Sequence, residues 1–344
     1  LTGTTIVYAP NVHTGGGLVL LQALLRTLPA GRVRQAFLDR RAQAQLPVPQ
    51  GVVTGWVDAT VPSRLAAELA LCRANGHGDT VFCFHGLPPL LPNRGRVVVF
   101  LQNRLYLGRE RPPSLALRTR LRLGFERQVA RRLRRQVDAY IVQTPTMARA
   151  LAAWFGEGAP SVRVLPFADE ETLSGNGERA TPPAWDFVYV ADGEAHKNHR
   201  RLLEAWQLLA EAGLRPRLAL TLSPRDGALA AEVARLRETA AIEVHDLGPL
   251  TRADVLALYR CTRALIFPSL SESFGLPLIE AHLLGTPVLA PELDYVRDVC
   301  DPVETFDPTS PQSIARSVRR FLGCAEPPVV ISRPERLWAA LDAP

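Results

Sequence analysis

Two doubly wound α/β domains in tandem are predicted by three observations on this 344-residue chain. The length exceeds the roughly 250–300 residues at which single hydrophobic cores stop growing. Short apolar runs alternate with helical patterns in two successive blocks, the signature of parallel sheets covered by helices. Between the blocks lies Pro166–Trp185, acidic, rich in Gly and Pro and without periodicity. That stretch is the best domain boundary in the chain. The expected division is 1–167 for the first domain, 168–185 for the linker, 186–330 for the second domain and 331–344 for a C-terminal segment.

In the first block, Thr4–Ala9, Val33–Leu38, Gly51–Val53, Thr80–Phe84, Arg96–Leu101, Ala139–Val142 and Val162–Leu165 read as strands. They are short continuous apolar runs, as buried parallel strands are. Gly16–Leu28, Pro62–Ala74, Ser114–Gln136 and Pro145–Trp154 read as helices. The longest carries Leu117, Leu121, Phe125, Val129, Leu133 and Val137 along one seam, with arginines on its other faces. In the second block the strands are Phe187–Val190, Arg217–Leu222, Ile242–His245, Ala264–Phe267 and Val288–Ala290. The helices are His199–Glu211, Gly227–Thr239, Ala253–Tyr259 and Pro311–Phe321. Ligands of such sheets bind beyond the carboxyl ends of the strands, so the expected site is the cleft between the two domains.

Composition narrows the classes. At 47% hydrophobic and 22% charged residues the chain is an ordinary globular sequence. No apolar run approaches the ~18–20 residues of a spanning helix, and the first residues do not read as a signal peptide. The five cysteines are scattered without a Cys-x-x-Cys pair, which argues against a disulfide framework or zinc site and for a reducing cytoplasm. The net charge of +6 is split: residues 1–165 carry 22 Arg against 8 acids, net +14, and the remainder is net −8. A basic first half suggests an anionic partner, such as membrane lipid or a phosphorylated acceptor. A solvated arginine face is the competing reading. Nucleic acid is disfavoured, because no reading motif or aromatic platform accompanies the charge.

Pro268–Pro291 reads PSLSESFGLPLIEAHLLGTPVLAP and holds two carboxylates, Glu272 and Glu280. Pro277 suits the first turn of a helix. A helix starting near Gly275 to Pro277 places Glu272 on the preceding loop and Glu280 near the helix start. First-turn backbone amides favour an anion, so the stretch suits a phosphate-bearing ligand with many hydroxyls. Four further loops fall at strand ends. Asn11–Gly17 carries three adjacent glycines, Gly15, Gly16 and Gly17, and His13, and it matches neither a dinucleotide fingerprint nor a Walker loop. His196-Lys197-Asn198 contains the only lysine in the sequence. In a chain that otherwise uses arginine, a lone lysine suggests a compact point charge for phosphate. Gln102-Asn103-Arg104 and His85 complete the set, with amides suited to sugar hydroxyls. No Asp-x-Asp pair sits at a strand end, so no metal is indicated.

Lys197-Asn198 after a strand, followed by ESFGLPLIEAHLLGTPVLAPE, closely resembles the retaining glycosyltransferases of the GT-B fold. Within them it resembles family four, called group 1, of bacterial polysaccharide and lipopolysaccharide enzymes. The resemblance covers the second domain well, and the first through its glycine loop and Asp138–Thr144. It implies two Rossmann-like domains facing a central cleft, and a metal-independent retaining hexosyltransferase. No cofactor is implied, the nucleotide-diphosphate-sugar being a co-substrate. Glu272 and Lys197 are the implied catalytic pair. Gly15, Gly16, Gly17, Lys197, Asn198, Gly248, Glu272, Ser273, Phe274, Gly275, Leu276 and Glu280 are the implied donor-binding set, with Glu272 on the sugar and Glu280 on the ribose. The acceptor, a saccharide or lipid-linked saccharide, is assigned to His13, His85, Gln102, Asn103 and Arg104. A final helix around Arg333–Leu341 is expected to cross back to the first domain, and the protein is expected in the cytoplasm, peripheral at the inner membrane face.

Two departures stand out. Relatives often place an Arg after the first strand of the second domain, where this chain has Ala191-Asp192-Gly193-Glu194. Many also place a His where this chain has Gln102-Asn103. The alternatives are a nucleotide-sugar epimerase of the same fold and a binding-only homologue.

Overall fold

The computed structural model describes residues 3–48, 50–107, 117–156, 158, 160–168 and 180–324, the side chains of residues 105 and 117–123 excepted. The central part of the linker and the segment from 325 onward, including the expected helix at Arg333–Leu341, lie outside the described residues.

Two parallel sheets form. The first comprises β1 (Thr5–Ala9), β2 (Val33–Asp39), β3 (Val53–Val57), β4 (Thr80–Cys83), β5 (Arg96–Phe100), β6 (Ala139–Val142) and β7 (Ser161–Val164), in the order β3-β2-β1-β4-β5-β6-β7. Its helices are α1 (Gly15–Arg26), α2 (Val61–Ala74), α3 (Leu117–Leu133) and α4 (Pro145–Phe155). The second comprises β8 (Trp185–Tyr189), β9 (Leu218–Leu220), β10 (Val244–Asp246), β11 (Thr262–Ile266), β12 (Val288–Pro291) and β13 (Glu304–Phe306), in the order β10-β9-β8-β11-β12-β13. Its helices are α5 (His199–Glu211), α6 (Gly227–Ala240), α7 (Arg252–Arg260), α8 (Leu276–Leu283), α9 (Asp294–Arg297) and α10 (Pro311–Phe321). Both orders reverse direction once, between β1 and β4 and between β8 and β11. Those switch points open the crevices where ligands of doubly wound sheets bind.

Continuous apolar strands follow from burial on both faces. Ile6, Tyr8, Val81, Val97 and Val99 pack on one side of the first sheet, and Val7, Ala9, Ala36, Phe84 and Phe100 on the other. In the second, Phe187, Val188 and Tyr189 of β8 lie at the centre of one core with Trp206, whose indole donates to the Pro216 carbonyl at 2.9 Å.

The structure corrects several element readings. The strand expected at Gly51–Val53 is β3, which starts two residues later and runs to Val57, because Gly51 takes φ +85° and makes the turn before it. The long arginine-rich helix does not bury its full seam: Phe125 is 71% exposed, while Ala130 and Val137 face the core. Helix α9 and strand β13 were not foreseen, since each is too short to carry a period.

Candidate functional site

The loop after β8 and the loop after β11 meet at the second switch point. Lys197 lies on a short turn, and its Nζ donates to Glu272 Oε1 at 2.8 Å. Ser269 Oγ, fully buried, donates to the same oxygen at 2.6 Å. Two tyrosines fix this pair from below: Tyr189 donates to the Lys197 carbonyl at 2.7 Å and Tyr295 to the Ser269 carbonyl at 2.6 Å. Burial works against the Lys197 charge, but Glu272, Asp192 and Glu194 outweigh it and hold the ammonium above its ordinary value. Burial also raises the Glu194 carboxyl, helped by Asp192.

Asn198 braces this corner. It adopts the left-handed conformation (φ 64°), and its amide donates to the carbonyls of Pro268 at 3.1 Å and Pro308 at 2.7 Å. Its amide nitrogen therefore ties three loops together and points away from the open cleft. His199 is buried against the Tyr189 ring at 4.7 Å, and burial together with Lys197 pushes it down to about 4, so it is a neutral core ring at ordinary pH. His196 sits 3.4 Å from Glu194, its pKa lowered by burial and by Lys197.

Gly275 caps helix α8 with φ +72°, where an added Cβ would meet Leu278 Cδ1 at 3.0 Å. The turn leaves Glu280 in the fifth position of the helix, only 4% exposed. Glu280 Oε1 accepts a hydrogen bond from Arg252 Nη1, on the first residue of α7. Burial raises the Glu280 carboxyl, opposed by Arg252 and by the Tyr259 hydroxyl. Sequence reasoning missed Arg252. The signal was present: Thr251 and Asp254 cap the start of a helix, and a cation in its first turn runs against the macrodipole unless a partner holds it. Gly248, after β10, takes φ +70°, and its N–H donates to Asp246 at 2.9 Å.

On the facing domain, α1 begins at the triple glycine. Its N-cap Thr14 makes no side-chain cap bond and no acid occupies the first turn, so the first amides are open to an anion. Gly15 has φ +64° and open space around it. A Cβ on Gly16 would meet Leu276 Cδ1 of the other domain at 2.9 Å, and one on Gly17 would meet Gln102 Oε1 at 3.1 Å. The two domains thus close on each other at the glycine loop and the Phe274–Leu276 turn. Three more contacts cross here: the Arg104 N–H donates to Ser273 Oγ at 2.7 Å, Thr144 Oγ1 to the Ser273 carbonyl at 3.4 Å, and the Thr146 N–H to Asp298 at 2.9 Å.

The other acceptor-side residues are dispersed along the first sheet's edge. Gln102 donates to the Phe84 carbonyl at 2.7 Å, between β4 and α1. Asn103 and Arg104 follow it at the start of a short turn. His85 Nδ1 lies 3.3 Å from the Tyr8 carbonyl, and burial lowers its pKa to about 4. His13 Nδ1 lies 3.7 Å from the buried Asp39, which Arg41 holds at 2.6 Å. Burial first, and then Arg41, lower the His13 pKa. Among the described residues no three His, Cys, Asp or Glu side chains converge as a metal-binding set.

Two Rossmann-like sheets with their switch points facing one cleft define the GT-B architecture, here with a half-buried Lys–Glu pair on one wall and an open glycine-rich helix start on the other. Residues 177–336, which include most of the second domain, match the family model described as "Glycosyl transferases group 1". The chain is 32% identical over 138 residues to O-antigen chain mannosyltransferase B of Escherichia coli, a match covering 39% of this chain and 36% of that protein. The chain therefore spans about a third of that relative's length. Among solved structures, a sucrose-phosphate synthase from Thermosynechococcus elongatus superposes with TM-score 0.67 at 17% identity, over 93% of this chain and 90% of that one. Anabaena HepE in complex with UDP and glucose superposes with TM-score 0.63 at 15% identity, with the same coverages. These two likenesses are of fold.

Proposed function

We propose that the protein is a metal-independent retaining glycosyltransferase. It moves a hexosyl group from a nucleotide-diphosphate-sugar to a glycan or lipid-linked saccharide during bacterial surface-polysaccharide synthesis. The observation that carries this reading is the Lys197–Glu272 pair, held from below by Tyr189, Tyr295 and Ser269 and facing the uncapped start of α1. The group 1 family match and a mannosyltransferase relative support the reaction class.

On this reading the donor lies across the cleft. Lys197 and the amides of Phe274 and Gly275 take the diphosphate on one side, and Gly15–Gly17 press on it from the other. Glu272 accepts hydroxyls of the sugar, and Glu280, held by Arg252, accepts those of the ribose. Charge building on the leaving diphosphate is met by Lys197. The departing phosphate oxygen accepts the proton of the acceptor hydroxyl on the same face, so configuration is retained and no protein base is required. The lowered pKa values of His13 and His85 suit neutral rings that orient the acceptor.

The protein works in the cytoplasm, peripheral at the inner membrane face. Supporting this, Arg131, Arg132, Arg134, Arg135, Trp154 and Phe155 line a cavity of about 430 Å³, and Phe125 stands exposed on the same helix. The Arg131 guanidinium lies over the Trp154 ring at 5.2 Å. Anionic headgroups fit such a basic, aromatic hollow.

A thermal-shift screen of UDP-, GDP- and dTDP-sugars tests the donor reading, since a ligand of the native state raises its melting point. A positive donor should then be hydrolysed or transferred by the wild type and not by Glu272→Ala; binding without turnover would instead leave a nucleotide-sugar-binding homologue. Co-sedimentation with no preference for anionic over neutral vesicles would remove the membrane assignment.

A further inference from the structure

The diphosphate wall of the second domain is short of positive charge. Lys197 is surrounded by Glu272, Asp192 and Glu194, and Asp226 acts on Glu194 in turn. A diphosphate brings about two more negative charges to one cation already bonded to Glu272, an arrangement unfavourable without a second positive group. The loop after β8, Ala191–Glu194, offers none.

The loop after β9 lies against it. Ser223 and Asp226 form a capping box around the short turn Pro224–Asp226. Asp226 Oδ2 accepts the Gly193 N–H at 2.9 Å, the Ser223 N–H at 3.0 Å and the Ser223 hydroxyl at 2.6 Å. The two loops touch so closely that a Cβ on Gly193 would come within 2.7 Å of the Asp226 carboxyl. Pro224 and the box fix the turn, and Arg225 projects from it, exposed and in no ion pair among the described residues. Of the other arginines near the strand ends, Arg40 is committed to Asp58, Arg41 to Asp39 and Arg252 to Glu280. Arg225 lies at the carboxyl end of the second sheet, on the loop that follows β9. Besides burial and Arg41, its charge acts on His13 of the glycine loop.

We propose that Arg225 supplies the second positive charge for the donor's diphosphate, delivered from the β9 loop through the Gly193–Asp226 contact. The assignment rests on the donor reading above. Guanidinium is suited to it, because its planar fork meets phosphate oxygens in pairs. The capping box supplies the rigidity that an exposed side chain lacks.

The test measures binding of UDP and GDP, and of uridine and guanosine, to the full chain by titration calorimetry. Wild type, Arg225→Ala, Arg225→Lys and Arg237→Ala, a change on the outer face of α6, are compared. The expected result is a loss of about 10- to 100-fold in diphosphate affinity for Arg225→Ala, unchanged nucleoside affinity, partial recovery in Arg225→Lys and no change in Arg237→Ala. Equal diphosphate affinity in wild type and Arg225→Ala overturns the assignment. So does an equal loss for nucleoside and diphosphate. If the wild type binds none of these four, dTDP and thymidine are titrated in the same way; if these too fail to bind, the donor reading itself fails and Arg225 falls with it.

Discussion

Lys197 Nζ and Ser269 Oγ converge on one oxygen of Glu272, at 2.8 Å and 2.6 Å. The lone lysine of the sequence is thus anchored to the carboxylate that defines the opposite end of the motif. On the proposed reading, removing it leaves a half-buried carboxylate without its cation and a leaving group without its counter-charge. Lys197→Met is expected to lower kcat by about 10²–10³-fold, the usual cost of losing one preorganised charge. Lys197→Arg should not restore it, since the planar guanidinium cannot occupy the same point. Steady-state kinetics with a circular-dichroism check of folding would decide this, and near wild-type kcat in the Met variant would sink the role.

The second carboxylate is held differently. Glu280 and Arg252 are a mostly buried ion pair. Removing one partner of such a pair costs about 3 kcal/mol or more, whereas neutralising both is mild. Arg252→Met should therefore lower the melting temperature clearly, and Arg252→Met/Glu280→Gln should recover most of the loss. A double variant as unstable as the single one would show that the two side chains are not coupled.

Closure of the cleft depends on a missing side chain. Gly16 approaches Leu276 so closely that a Cβ would sit 2.9 Å from a leucine methyl. Alanine there meets only the far end of a flexible side chain and should be tolerated. Gly16→Val should raise the donor KM with little change in melting temperature, and Leu276→Ala in the same chain should relieve the defect. No relief would mean that the contact with Leu276 is not what restricts this position.

A buried carboxylate away from the cleft gives the protein a pH signature. Glu68 accepts Tyr8 Oη at 2.8 Å and the Leu90 N–H at 2.9 Å, and burial raises its pKa. The folded state therefore binds this proton more readily than the unfolded chain, so the contribution declines as pH rises. The stability advantage of wild type over Glu68→Gln should shrink from about pH 4.5 upward. Melting curves at several pH values would show it, and a constant difference would contradict it.

Most of the fold was legible because parallel strands buried on both faces leave continuous apolar runs, and α10 was read at its observed limits from its capped, strongly two-sided pattern. β3 and β13 were misplaced or missed because a three- to five-residue strand carries no period of its own. Within the site, the glycine loop, Lys197, Glu272 and Glu280 were visible as residue types at strand ends. Arg252 was legible only as a cation at a capped helix start, and its pairing was not, since its partner lies on another helix.

The sequence by itself determined the two-block architecture, the motif from Pro268 to Pro291 and the singular lysine, all of which are local patterns. Only the tertiary structure decided which charges meet. It turned Asn198 inward as a brace, paired Glu280 with Arg252, set Gly16 against Leu276 and seated the turn bearing Arg225 on Gly193. The physical reason is that pairing depends on which strand ends the sheet order brings side by side, and neighbours in that order are separated in the chain by whole helices.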